Sequence, residues 1–159
     1  MQALCQPSRN ASRRNFYVFA TTLADWQHVV DVIRLTGWPT EYSEDGIAMT
    51  MPNFAEAVFS RSLEQAVLWK VSPVRGLSIN CHFFTRDEIE FDIAPSEIHG
   101  QPELDALAAF ITTIGRATTK GVLLCHENAP DCPVGTYSPD SRLFVRTSSD
   151  DRASTGGHR

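Results

Sequence analysis

From residue 67 to 94 the chain settles into a period of two. Leu77, Ile79, Cys81 and Phe83 alternate with more polar neighbours, and Ile89, Phe91 and Ile93 repeat the pattern after the polar turn Thr85-Arg86-Asp87. Only an extended backbone sends every second side chain to the same side, so this stretch has to be β-structure with one buried face. Together with the apolar run from 67 to 72 and the Pro73-Val74-Arg75-Gly76 connection, it predicts three antiparallel strands at 67–72, 77–84 and 88–94.

Elsewhere the period changes to that of a helix. Trp26, Val29, Val30 and Ile33 form one apolar stripe, with Thr22 and Asp25 as a capping pair ahead of it and Gly37 and Pro39 as the stop. A second stripe of Leu104, Leu107, Ala108, Ile111 and Ile114 starts at Pro102 and is expected to end at Gly115. Asn53 and Glu56 predict a shorter helix carrying Phe54, Ala57, Val58 and Leu63. Residues 15–20 (NFYVFA), 122–125 and 142–146 read as further strands, and Glu44-Asp45-Gly46 as the tight turn of a hairpin. Residues 128–133 read as a loop. The expected core also includes Phe16, Val18, Leu68 and Val122. Hairpins outnumber crossovers, which implies an α+β fold: a mostly antiparallel sheet with about three helices on one face.

The length of 159 residues suits a single domain, expected over 15–147, between a disordered basic leader (1–14) and a disordered polar tail (148–159). No apolar run approaches the roughly 18 residues that span a bilayer. The net charge is −5, and because Arg9, Arg13 and Arg14 lie in the leader, the body carries about −8. That sign argues against nucleic acid and anionic membranes as partners and for basic ones. Four cysteines, Cys5, Cys81, Cys125 and Cys132, without a secretory signal point to reduced thiols and a cytoplasmic location.

The charge is concentrated. From Asp87 to Gly115 there are acids at Asp87, Glu88, Glu90, Asp92, Glu97, Glu103 and Asp105 and no Lys or Arg. On a strand Glu88, Glu90 and Asp92 share the face opposite the core at about 7 Å spacing, where an ordinary solvated face mixes signs. The candidate partner-binding residues are therefore Glu88, Glu90, Asp92 and Glu97, with Trp38, Tyr42, Glu44 and Asp45 of the hairpin region as an alternative contact. A solvated face with no ligand is the plain alternative.

No catalytic residue, metal ligand or cofactor is assigned. Cys81-His82 and Cys125-His126 resemble ligand pairs on paper, but neighbours on a strand point to opposite faces and cannot share one ion. Nucleophilic use of Cys125 or Cys132 with His126 or His99 has only residue type in its favour, and no phosphate-binding, dinucleotide or metalloprotease motif occurs.

The segments NFYVFATTLADWQHVVDVIRLTGWPTEY and FITTIGRATTKGVLLCHENAPDCPVGTYSPDSRLF, together under half of the chain, resemble the small α+β immunity proteins that bacteria encode beside secreted or contact-delivered toxins. The resemblance implies a cytoplasmic, non-catalytic protein that binds and blocks a cognate toxin, in many cases a basic nuclease. A small metal-dependent hydrolase using the carboxylate face, and a homodimeric structural or regulatory domain, are the competing classes.

Overall fold

The structure is a computed structural model, and it describes residues 13–126 and 133–146. The expected leader up to Ser12, the expected tail, Cys5, Cys132 and most of the 128–133 loop lie outside the described residues. Arg13 and Arg14, expected in the leader, belong to the fold: Arg14 begins the first strand and Arg13 is bound just before it.

The order is β1 (Arg14–Phe19), α1 (Leu23–Thr36), β2 (Thr40–Glu44), β3 (Ile47–Ala48), α2 (Ala55–Ser62), β4 (Val67–Val74), β5 (Leu77–Thr85), β6 (Glu88–Ile93), a 3-10 turn (Pro95–Glu97), α3 (Gln101–Thr118), β7 (Val122–His126), β8 (Pro133–Ser138) and β9 (Leu143–Arg146). Nine strands form one sheet in the order β3-β2-β4-β5-β6-β1-β7-β8-β9. Every pairing is antiparallel, and the fold is α+β. The central strand is β6, and the first strand of the chain, β1, is inserted between it and β7, while the β2–β3 hairpin lies at one edge.

The α1 reading holds in detail. Thr22 and Asp25 form a reciprocal capping box, Trp26, Val29, Val30 and Ile33 are buried, and Gly37 closes the helix at φ 76°. The Asp45-Gly46 turn holds positive φ at both residues, 51° and 80°, as a tight hairpin requires. Both alternating sets, Leu77 to Phe83 and Ile89 to Ile93, face inward, and the three helices pack on that side. Trp26 lies against Phe59 and Phe83, and Phe110 meets Phe91 edge-on at 5.0 Å.

Four expectations are corrected. Asn53 does not cap α2: Phe54 occupies the N-cap without a side-chain bond, the Ala55 N–H donates to Gln27 Oε1 at 2.7 Å, and Arg34 holds the Pro52 and Asn53 carbonyls. The buried face of α2 is Ala55, Val58 and Phe59, leaving Phe54 and Leu63 exposed. On β4, Val67, Trp69 and Val71 face inward, so Leu68 lies on the other side, half-buried. Finally, α3 continues through Gly115 to Thr118, with Leu104 exposed and Phe110 buried.

Gly115 is there because of Tyr137 on β8: a Cβ at this position would stand 2.1 Å from the ring Cε1. Strand β8 itself was not expected, since PVGTYS offers one large apolar residue and no alternation. Among the described residues no helix is long and apolar enough to cross a membrane.

Candidate functional site

Because β6 lies between β5 and β1, the sheet face opposite the helices aligns three strands of side chains around the acids. Asn80 and Asn15 flank Asp92, His82 and Tyr17 flank Glu90, and Thr85 and Phe19 flank Glu88. The expected sharing of one face by Glu88, Glu90 and Asp92 holds, but the three carboxylates are in different electrostatic situations.

Asp92 is spent inside the fold. Arg13 donates to its Oδ1 through Nε and Nη2, each at 2.5 Å, Asn80 Nδ2 adds a bond at 2.9 Å, and His82 Nε2 contacts Oδ2. Burial raises its pKa, but the bonds from His82 and Asn80 and the charges of His82 and Arg13 outweigh that and hold it below the usual carboxylate range. The stabilisation it contributes is therefore present above the ordinary carboxylate pKa of about 3.9 and is lost as pH falls through its own, lower value. From Asp87 to Gly115 the chain itself carries no Lys or Arg, yet the pairing of β6 with β1 brings in Arg13. Asp92, with 8% of its surface exposed, has no charge to offer a partner.

Glu90 is held by one neutral donor, Asn15 Nδ2 at 2.9 Å, which also donates to the Tyr17 hydroxyl. Burial pushes the Glu90 pKa up; His82 and the Asn15 bond oppose the shift, and the Glu88 and Asp92 charges reinforce it. A raised folded-state pKa favours folding at low pH, and that benefit disappears as pH rises through it, so at neutrality the Glu90 charge costs stability. Replacing Glu90 with Gln should raise the melting temperature at pH 7 by about 1–2 °C, the effect being small because the site is partly solvated. A thermal melt at pH 7 and pH 4 checks this: the difference should vanish at the lower pH.

Among the described residues Glu88 has no ion-pair or side-chain hydrogen-bond partner. Near these acids, the Asn15 and Asn80 Oδ1 atoms are buried without a hydrogen-bond partner. Uncompensated oxygens beside carboxylates deepen the negative potential, and a positively charged donor is what would relieve it.

The acids are bordered by aromatic rings. Tyr17 and Phe19 on β1 are stacked at 5.5 Å, and His82 and Phe84 on β5 at 4.9 Å. Phe84 is 71% exposed and Phe19 41%. Beyond the His82–Phe84 pair opens a cleft of about 420 Å³, lined by Ser43, Gln65, Leu68, His82, Phe83 and Phe84.

The chain matches no family model, no curated protein and no solved structure. Its function has to be argued from this geometry.

The remaining candidates are distributed around the fold. Tyr42 and Glu44 point into the core side of β2, where they are 5% and 3% exposed and out of a partner's reach. The Tyr42 hydroxyl donates to Glu44 Oε1 at 2.7 Å and Arg61 Nη1 to Oε2 at 3.1 Å. Burial, then the Glu44 bond, raises the Tyr42 pKa, which keeps the hydroxyl protonated as the donor. Arg61→Ala should cost about 1 kcal/mol in a urea melt, since the buried carboxylate keeps Tyr42 but loses its counter-charge, and Arg61 is half exposed.

Asp45 fastens the hairpin to Ala66, accepting from its N–H at 2.8 Å. Trp38 is half-buried against Phe110 at 5.9 Å. Glu97 accepts from the Ser78 N–H at 2.8 Å, tying the 3-10 turn to β5. None of these joins the acid and aromatic face.

Cys81 is buried in the core while His82 faces the other side, as strand alternation requires. Burial, with Asp92 adding to it, raises the Cys81 thiol pKa well above its ordinary value, the opposite of an activated nucleophile. Cys125 is buried opposite Asn15, and burial, with the Arg14 charge, lowers the pKa of His126. Among the described residues no group of three or more His, Cys, Asp or Glu is placed to hold a metal ion.

The aromatic border was missed in the sequence reading. Phe19 and Phe84 sit near strand ends, where the sequence reading gave them no role, and only pairing across β6 brings them together around Glu88.

Proposed function

We propose that this chain is a non-catalytic binding protein that neutralises a basic protein domain, in the manner of the immunity proteins its sequence resembles. The observation that carries the reading is Glu88: a carboxylate with no ion-pair partner, beside the destabilised charge of Glu90, bordered by the exposed rings of Phe19 and Phe84 on the face opposite the helices. Unmatched charge steers an oppositely charged partner, and rigid aromatic area at its margin supplies the close contact that retains it. A metal-dependent hydrolase on the carboxylate face has less support, because Asp92, one of its three acids, already binds the Arg13 guanidinium.

The test is co-expression with the C-terminal domain of the protein encoded in the adjacent reading frame. Growth inhibition by that domain should be relieved by this chain, and the two should co-purify. Persistent toxicity with no complex would retire the reading.

A further inference from the structure

Resting on that reading, we infer that the segment of the partner seated on this face carries an arginine or lysine beside a large apolar side chain, the cation on Glu88 and Glu90 and the apolar group in the cleft beyond Phe84. The face already holds one guanidinium, since Arg13 places Nε and Nη2 on Asp92 at one end of the same acidic strand. Among the described residues the other two acids of that strand have no cationic bond, Glu88 having no side-chain partner and Glu90 only an amide donor. Guanidinium and ammonium groups match both needs, a charge and several donors, and they also favour aromatic borders such as Phe19 and Phe84.

The cleft asks for different chemistry. Its lining joins Leu68, Phe83 and Phe84 to the neutral polar groups of Ser43, Ser62 and Gln65 and carries no carboxylate, so it offers a cation no counter-charge and an apolar side chain a mainly apolar contact. At about 420 Å³ it is at the low end of the ~300–1,000 Å³ typical of ligand pockets, a size suited to side chains. It adjoins β5, and β6 is the next strand over, roughly 5 Å away. Two side chains separated by one residue of an extended peptide reach about 7 Å apart, so one short segment can fill both sites.

The experiment uses four capped Gly/Ser peptides carrying, two positions apart, Arg and Leu, Arg and Ser, Ser and Leu, or Ser twice, each titrated into the isotope-labelled full chain by NMR. The Arg and Leu peptide should bind about tenfold more tightly than either single peptide, the increment that burying one large aliphatic group supplies. Phe84→Ala should remove the leucine increment and keep the arginine one. Glu88→Gln with Glu90→Gln should do the reverse. Phe84 and Glu88 are surface positions, and a thermal melt of each variant confirms that it is folded.

Equal binding of the Arg and Leu peptide and the Arg and Ser peptide would overturn the two-part inference while leaving a basic partner in place. Equal binding of the Arg and Leu peptide and the Ser and Leu peptide would remove the role of charge, and the proposed function would fall with it. Absence of binding by all four at millimolar peptide would overturn the inference, with the co-expression result then deciding the broader reading separately.

Discussion

Gly115→Ala should destabilise this protein by about 2 kcal/mol, although the same change in the interior of an ordinary helix gains about 1 kcal/mol. The new methyl would stand 2.1 Å from Tyr137 Cε1 and 2.2 Å from Cδ1, so the ring or the helix has to move. Neither is free to do so: Tyr137 is 2% exposed, and Ile111 and Ile114 on the same helix are buried. Overpacking of this kind costs about 1–3 kcal/mol, and Gly115→Val should exceed the alanine variant. Urea unfolding measures the loss, and a double-mutant cycle with Tyr137→Ala locates it. With the ring gone, the alanine should become neutral or favourable. A stabilising Gly115→Ala in the otherwise unaltered chain would mean that α3 and β8 do not meet here.

The second large effect concerns association. Reversing Glu88 and Glu90 to Lys should slow binding to the basic domain by ten- to several-hundredfold at low salt, because steering by a charged face accelerates encounter by about 10–10³. The wild-type rate should fall as salt shortens the Debye length to about 8 Å at physiological strength, and the reversed variant should lose that dependence. Stopped-flow mixing at two ionic strengths reads both. Asp92→Asn is the informative contrast, since it unpairs Arg13 inside the fold: it should lower stability while slowing association far less than the double reversal, because it changes the field by one charge where the reversal changes it by four. Rates insensitive to both salt and charge reversal would mean that the carboxylates are only a solvated surface.

Much of this fold could be read locally. The α1 capping box, the Asp45-Gly46 turn and the alternation in β5 and β6 are each written within a few neighbouring residues, and each is found where expected. What was not legible depends on residues distant in sequence. Gly115 looked like a helix stop because the ring that requires it lies on β8. Asn53 looked like a cap, but the bond is made by Gln27 from another helix. The candidate site shows the same limit. That Glu88, Glu90 and Asp92 share a face follows from the strand period alone. That Asp92 is neutralised, that Glu90 is strained and that aromatic rings border Glu88 follow from the insertion of β1 beside β6, which no local pattern announces.

The place of β1 has a consequence for how the chain is made. Strand β1 precedes both of its neighbours: Arg14 lies opposite Ile93 of β6 on one side and His126 of β7 on the other. During synthesis the aromatic stretch Asn15-Phe16-Tyr17-Val18-Phe19 therefore emerges well before either strand that will cover its edges. Closing such long loops is slow, and an unpaired apolar strand is prone to adhere to other chains while it waits. The seam through β1 cannot close on both sides until β7 has been made, and dependence on chaperones during expression should be traced to these residues.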